Sequence, residues 1–193
     1  MTNRRGYVAY QLREAMKFDL IPAVFADMHN PDDSITGHVL CVGQKSCVIE
    51  SVNAFAQFDG WFGVRLDCII EVLIDDQYPK RLMILQQIDH YQRRGLPNDT
   101  YDWQQGDAVA LMLAHALEMG RAVTCWTEHE AFVGFVEELD DLYVTMTLFD
   151  FMGEICAAHK IRLMDIEMVS ILSEEELMYE KLNAHHEATK KGL

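Results

Sequence analysis

The stretch GFVEELDDLYVTMTLFDFMGEI, Gly134 to Ile155, holds apolar runs rich in Val, Phe and Tyr, broken at Leu139-Asp140-Asp141 and at Met152-Gly153. Short runs of β-branched and aromatic residues between turn residues read as a β-meander. An earlier stretch, GHVLCVGQKSCVIESVNAF, Gly37 to Phe55, has the same make-up around Gly43-Gln44-Lys45. The fold depends on whether these are two copies of one unit.

Working outward, the chain reads as written twice, and internal repeats take precedence over local structure. LREAMKFDLIPAVFAD (12–27) lies over LAHALEMGRAVTCWTE (113–128) without a gap, at a spacing of 101 residues. Gly37 over Gly134 begins a second register, at 97. It aligns VRLDCIIEVLI (64–74) with IRLMDIEMVSI (161–171), and RRGL (93–96) with KKGL (190–193). The difference is a four-residue excess in the MHNPDDSITG loop (28–37), and short gaps are expected between the third and fourth strands. Two units follow: residues 1–96 and residues 97–193, each a helix, a small β-barrel and a closing helix.

The first helices are expected at 7–17 and 108–119, the latter stopped by Gly120. Because the second is apolar on nearly every side, it should be buried between the units. Strands are expected at 20–27, 36–42, 47–57, 61–67 and 69–74, then at 121–127, 132–138, 143–149, 154–163 and 165–171. Asp59-Gly60 reads as one of the turns. Ser173-Glu174-Glu175-Glu176 has the form of a capping box, and Asp76 with Pro79 opens the matching helix. The segment GLPNDTYDWQQG (95–106) reads as the linker.

The order of a helix and five strands resembles the Sm-like fold, a form of SH3-like small barrel. Gly134, Val136, Leu139 and Asp140 fall in step with the family's first motif. Its second motif is similar to Ile161-Arg162-Leu163-Met164-Asp165-Ile166 and to Val64-Arg65-Leu66-Asp67-Cys68-Ile69. The position of the family's RNA-contacting Asn is Val144 in one unit and Cys47 in the other. The resemblance therefore implies a mainly β fold with flanking helices, two Sm-like small barrels formed by an internal duplication, and strand pairing as the way such units join. It implies base binding poorly, and a fold does not by itself carry an activity.

Net charge is −15 over 193 residues, and it is uneven: −3 over residues 1–100 and −12 over residues 101–193. A phosphate backbone meets repulsion over the second half, which disfavours nucleic acid as a partner. The acidic second half is expected to steer a basic protein partner. Five cysteines without a CxxC pair suit free thiols in a reducing compartment. The start lacks the pattern of a cleaved signal, so a cytoplasmic location without a membrane span is expected.

Arg65 and Arg162 occupy equivalent positions, and each is either an anion clamp or an ion pair at a strand end, the second reading being preferred. Lys45 joins them as a possible interaction contact. Trp61 and Trp126 could stack on bases, but strand alternation favours burial. Cys125 with His129, and Cys156 with His159, raise the question of zinc, but lack the usual convergent spacing. The acidic group Glu137, Glu138, Asp140 and Asp141 suits a solvated hairpin tip, and His185-His186 a solvated helix pair. No nucleophile, dinucleotide, phosphate-loop or HExxH motif occurs.

The sequence thus supports a non-catalytic tandem small-barrel protein that acts in protein interaction or assembly, without metal or cofactor, pairing with a protein partner or with itself by strand edges. Two other readings are an Sm-like RNA binder, and an enzyme or small-ligand binder with a site between the barrels.

Overall fold

In a computed structural model, residues 4–26 and 33–191 are described. The first half of the MHNPDDSITG loop, the last residue of the strand expected at 20–27 and the end of KKGL lie outside them. The first helix, α1 (Arg4–Lys17), buries Val8, Leu12 and Ala15 on one stripe, the spacing that faces a helix onto a sheet. After it come β1 (Ala23–Phe25), β2 (Ile35–Val42), β3 (Ser46–Val52), β4 (Phe58–Arg65), β5 (Glu71–Leu73) and α2 (Gln77–Ile88). The second half runs α3 (Ala108–Met119), β6 (Ala122–Thr127), β7 (Ala131–Leu139), β8 (Tyr143–Phe149) and β9 (Ile155–Arg162). A single 3-10 turn (Leu163–Asp165), β10 (Ile166–Ile171) and α4 (Glu174–Lys191) complete it.

Among the described residues the chain is mainly β with four helices, and its sheet is open where two small barrels are expected from the sequence. All ten strands form one open antiparallel sheet in the order β5-β1-β2-β3-β4-β10-β6-β7-β8-β9. The reason lies at the middle: β4 pairs outward with β10, Val64 opposite Met168 and Trp61 opposite Ile171. The outer edge of the first half is therefore used by the second half. Read in sequence order, both halves nevertheless lay their strands out alike, fifth-first-second-third-fourth.

The likeness extends to single hydrogen bonds at a spacing of 97 residues. Gly43 N donates to Ser46 O as Asp140 N does to Tyr143 O. Asn53 N donates to Gln57 O, and Asp150 N to Glu154 O. The Asn53 side chain accepts from Phe55 N and Gln57 N, as the Asp150 side chain does from Met152 N and Glu154 N. Ala56 and Gly153 both take positive φ in these turns, at 60° and 80°. The gap expected between third and fourth strands is not needed. Asp59-Gly60 is not a turn either: it lies inside β4, where Gly60 (φ 85°) lets the strand pass close to Ile171 O. The chain turns earlier, at Asn53, because that side chain supplies the main-chain partners β3 gives up.

Helix α3 packs on β3 and β4 of the first half and on β6, β7 and β10 of the second. Met112, Leu113 and Ala116 meet Cys41, Val48 and Trp61 on one side and Val123, Val144 and Val169 on the other. Asp107 caps its start by accepting from Val109 N, and Gly120 ends it in the left-handed region. Helix α4 opens with half of the expected capping box. Glu176 Oε2 accepts from Ser173 N at 2.6 Å, while Oε1 is fully buried and accepts from Thr124 and Ser170 hydroxyls.

Two predictions follow from this packing. A Cβ on Gly37 would lie 2.1 Å from Glu50 O, and one on Gly134 2.1 Å from Thr147 O. Gly37→Ala and Gly134→Ala should each lower unfolding free energy by roughly 2–3 kcal/mol by strand displacement. Gly95→Ala, whose Cβ meets nothing within 4 Å, should cost only about 1 kcal/mol through its positive φ, and urea midpoints give the comparison.

His38 is buried against α2, its Nε2 2.8 Å from Gln86 Oε1. Burial holds its pKa below the usual histidine value, although Gln86 and Glu50 pull the other way. Asp19, 3.9 Å from Nδ1, is mostly exposed and also engages Arg93, so it does not reverse this. Protonation then favours the unfolded chain, whose imidazole titrates near 6.5. Stability should be full above that pH and fall as pH drops from about 6.5 toward the folded value, with a shallower slope in His38→Asn; melting temperature against pH reads it.

Candidate functional site

The feature that stands out is a free strand edge. β9 closes the sheet on one side, and among the described residues no strand pairs with its outer edge. Seven of its eight residues are exposed, only Ile161 being buried. In an antiparallel strand alternate residues direct both main-chain groups to the same neighbour. Leu163 N donates to Leu142 O, which places the bonding pairs at 161–144 and 159–146. Ala158, Lys160 and Arg162 therefore turn their N–H and C=O groups away from β8. Their counterparts on β4 are Trp61, Gly63 and Arg65, and there Trp61 and Gly63 meet Ile171 and Val169 of β10.

The other end of the sheet is different. β5 has only three residues, and α1 reaches over its rim: Arg4 donates to Ile69 O at 2.7 Å and Gln11 to Val72 O at 3.3 Å. Short strands and covered rims are the usual ways of blunting an edge. The sheet thus has one blunted and one open end.

Beside β9 lies a cleft of about 620 Å³, lined by Arg65, Cys68, Phe132, His159, Arg162 and Asp165 among others. Arg65 and Arg162 come together here, but neither guanidinium is offered to a ligand. Arg65 donates to Leu163 O and Met164 O at 2.7 Å each and to Asp107 Oδ2 at 3.2 Å. It staples β4 to the turn before β10 and to the cap of α3. Arg162 is paired with Asp165 at 2.7 Å, which raises its pKa further. The Cys68 thiol is pushed up to about 12 by burial, with Glu167 and Asp67 adding to it. A thiol so placed stays protonated and is no nucleophile at neutral pH.

Of the remaining sequence candidates, His129 and His159 line this cleft and the others do not. Lys45 is exposed in the turn between β2 and β3, and its carbonyl accepts from Leu66 N. Trp61 is buried and donates its indole N–H to Gly95 O at 2.7 Å. Trp126 is half-buried, its ring 6.0 Å from Phe62, and borders a separate cleft of about 520 Å³. Cys125 is buried in β6 while His129 is exposed in the next turn; Cys156 is exposed and His159 stacks on Phe132 at 4.7 Å. Among the described residues no three His, Cys, Asp or Glu side chains are placed to hold a metal. In the acidic hairpin, Asp140 accepts from Leu142 N and Tyr143 N, which holds its carboxyl below the usual range. His186 rests 3.3 Å from Glu154 rather than projecting into solvent with His185.

Glu50 escaped the sequence reading, and Glu176, read there as the carboxylate of a capping box, also takes partners that the reading did not name. Glu50 is fully buried in β3 and accepts from Tyr91 OH (2.6 Å) and from Arg94 N and Gly95 N (2.9 Å each). Glu176 plays a similar part under α4. A lone Glu within an apolar strand gives no local sign of its partners.

No helix among the described residues is long and apolar enough to cross a membrane. Compared with known proteins, the chain matches no family model, no curated protein and no solved structure.

The two arginines should separate cleanly in mutagenesis. Arg65, mostly buried, makes three bonds across the seam, so Arg65→Ala should cost about 2–3 kcal/mol. Arg162 is largely exposed, and Arg162→Ala should leave the urea midpoint close to that of the wild type. Urea titrations of both variants test the difference.

Proposed function

We propose that this chain is a tandem of two Sm-like units, arisen by internal duplication, and that it works as a non-catalytic assembly module joining a protein partner by strand pairing. One observation carries the reading. The outer edge of the fourth strand is paired in the first half, by β10, and unpaired in the second, along β9. The repeated turns and the close glycine contacts at Gly37 and Gly134 support the duplication. A free row of main-chain donors and acceptors supplies affinity, and flanking side chains supply selectivity.

Catalysis draws no support from the cleft, where both arginines are engaged and burial raises the pKa of the Cys68 thiol. The nucleic-acid reading fares no better, since Arg65 and Trp61 are spent on the fold.

The test is Lys160→Pro. The N–H it removes points away from β8, so the fold should keep its circular dichroism and melting profile. Complexes isolated from the native cell with the wild-type chain should be lost with the variant. A folded variant that retains the same partners would overturn the reading. So would binding of single-stranded RNA by the purified wild-type chain with a steep loss as salt rises.

A further inference from the structure

The seam between β4 and β10 shows what a second unit needs in order to dock on a fourth strand. It needs a free strand edge to offer, and it needs room for the helix that precedes its own strands. In the first half that room is made by small residues. A Cβ on Gly63 would lie 3.1 Å from Ala108 O, so helix α3 sits almost on the β4 backbone. Ser46 Oγ accepts from Ala108 N at 2.7 Å, and Val48 and Cys41 lie under the helix.

The same face of the second half is changed at each of these places. At a spacing of 97 residues Gly63 becomes Lys160, Ser46 becomes Tyr143, Val48 becomes Thr145 and Cys41 becomes Glu138. Lys160 Nζ lies over the Tyr143 ring, 4.6 Å from its centroid, across the space a helix would fill. The edge that a second copy would bring, β5, is already occupied by Arg4 and Gln11. Head-to-tail addition of another chain is thus blocked from both sides.

Pairing of β9 with the β9 of a second copy is also opposed. Along Ile155–Arg162 the basic side chains are His159, Lys160 and Arg162, of which Arg162 is paired with Asp165, and the strand holds no Asp or Glu. Antiparallel self-pairing sets these basic groups against one another, and like charges across strands are destabilising. What remains accessible is the bare edge. Cys156, Ala157 and Ala158 are small and exposed there, and basic groups follow them.

Resting on the assembly reading above, we infer that the outer edge of β9 takes an extended acidic peptide segment of another protein, and not a second copy of this chain. The segment adds an eleventh strand through the main-chain groups of Ala158, Lys160 and Arg162, and its carboxylates lie on the face that carries Lys160. This differs from the partner that the overall charge suggests, because the strand itself carries Lys160 and no acid, the carboxylates of Glu128, Glu130 and Asp165 lying in the cleft beside it.

Amide exchange by nuclear magnetic resonance on the full chain tests it, with two nine-residue synthetic probes, one alternating valine and glutamate and one alternating valine and lysine. The acidic peptide should protect the amides of Ala158, Lys160 and Arg162 at roughly threefold to tenfold lower concentration than the basic one. Lys160→Glu should abolish or invert that preference while leaving the exchange of buried β10 unchanged. Equal or better binding of the basic peptide would overturn the inference, as would protection confined to residues away from β9, or none with either peptide. If raising protein concentration alone protects these amides and sedimentation shows a dimer, the occupant is a second copy. That outcome overturns the inference but leaves strand pairing as the mode of assembly, whereas Lys160→Pro retaining its cellular partners removes the mode itself.

Discussion

The structure depends on four residues of β4 lying against four of β10. Met168 opposite Val64, Val169 opposite Gly63, Ser170 opposite Phe62 and Ile171 opposite Trp61 turn two curled sheets into one. Main-chain pairing is indifferent to side chains, so the seam needs other devices to set its position. Arg65 binds the carbonyls of Leu163 and Met164 and the cap residue of α3, and Gly63 admits that helix to the strand surface. The apolar helix then has a core on each side of it. Each of these contacts would be of little use without the others, because none buries much surface by itself.

Local chemistry was legible in the sequence, and distant pairing was not. Gly120 as a helix stop, Asp140 in its hairpin and Asp76 as a helix start act within a few residues of themselves. The burial of α3 followed from its composition. The β4–β10 seam joins residues about a hundred apart, and an apolar strand carries no mark of which neighbour it takes. That is why barrels were expected where the sheet stays open. The Asn53 turn was hidden for a related reason: Asp59-Gly60 looks like the stronger turn, but its glycine serves a close approach to Ile171. At the site, the equivalence of Arg65 and Arg162 was visible, but not that one would staple the halves while the other pairs with Asp165.

The two halves illustrate how one fold can be specialised at equivalent positions. The third strand carries Glu50 in one half and Thr147 in the other. Glu50 is committed to the linker, whereas Thr147 donates to Glu137 at the surface. Likewise α1 is polar enough to cover a rim with Arg4 and Gln11, while α3 is apolar and sits between layers. The first half is built to be joined on one side and closed on the other; the second is built to be joined on one side and left open.

Glu50 has a wider effect than its three hydrogen bonds suggest. By accepting from Tyr91, Arg94 and Gly95 it ties the start of the connecting segment to the first sheet, and Trp61 fastens the Gly95 carbonyl beside it. A slack connection would let the second half of one molecule dock on the first half of its neighbour, which is domain swapping. Tethered this way, the connection delivers its own second half to its own first half. These contacts favour closing the seam within one molecule over closing it between two.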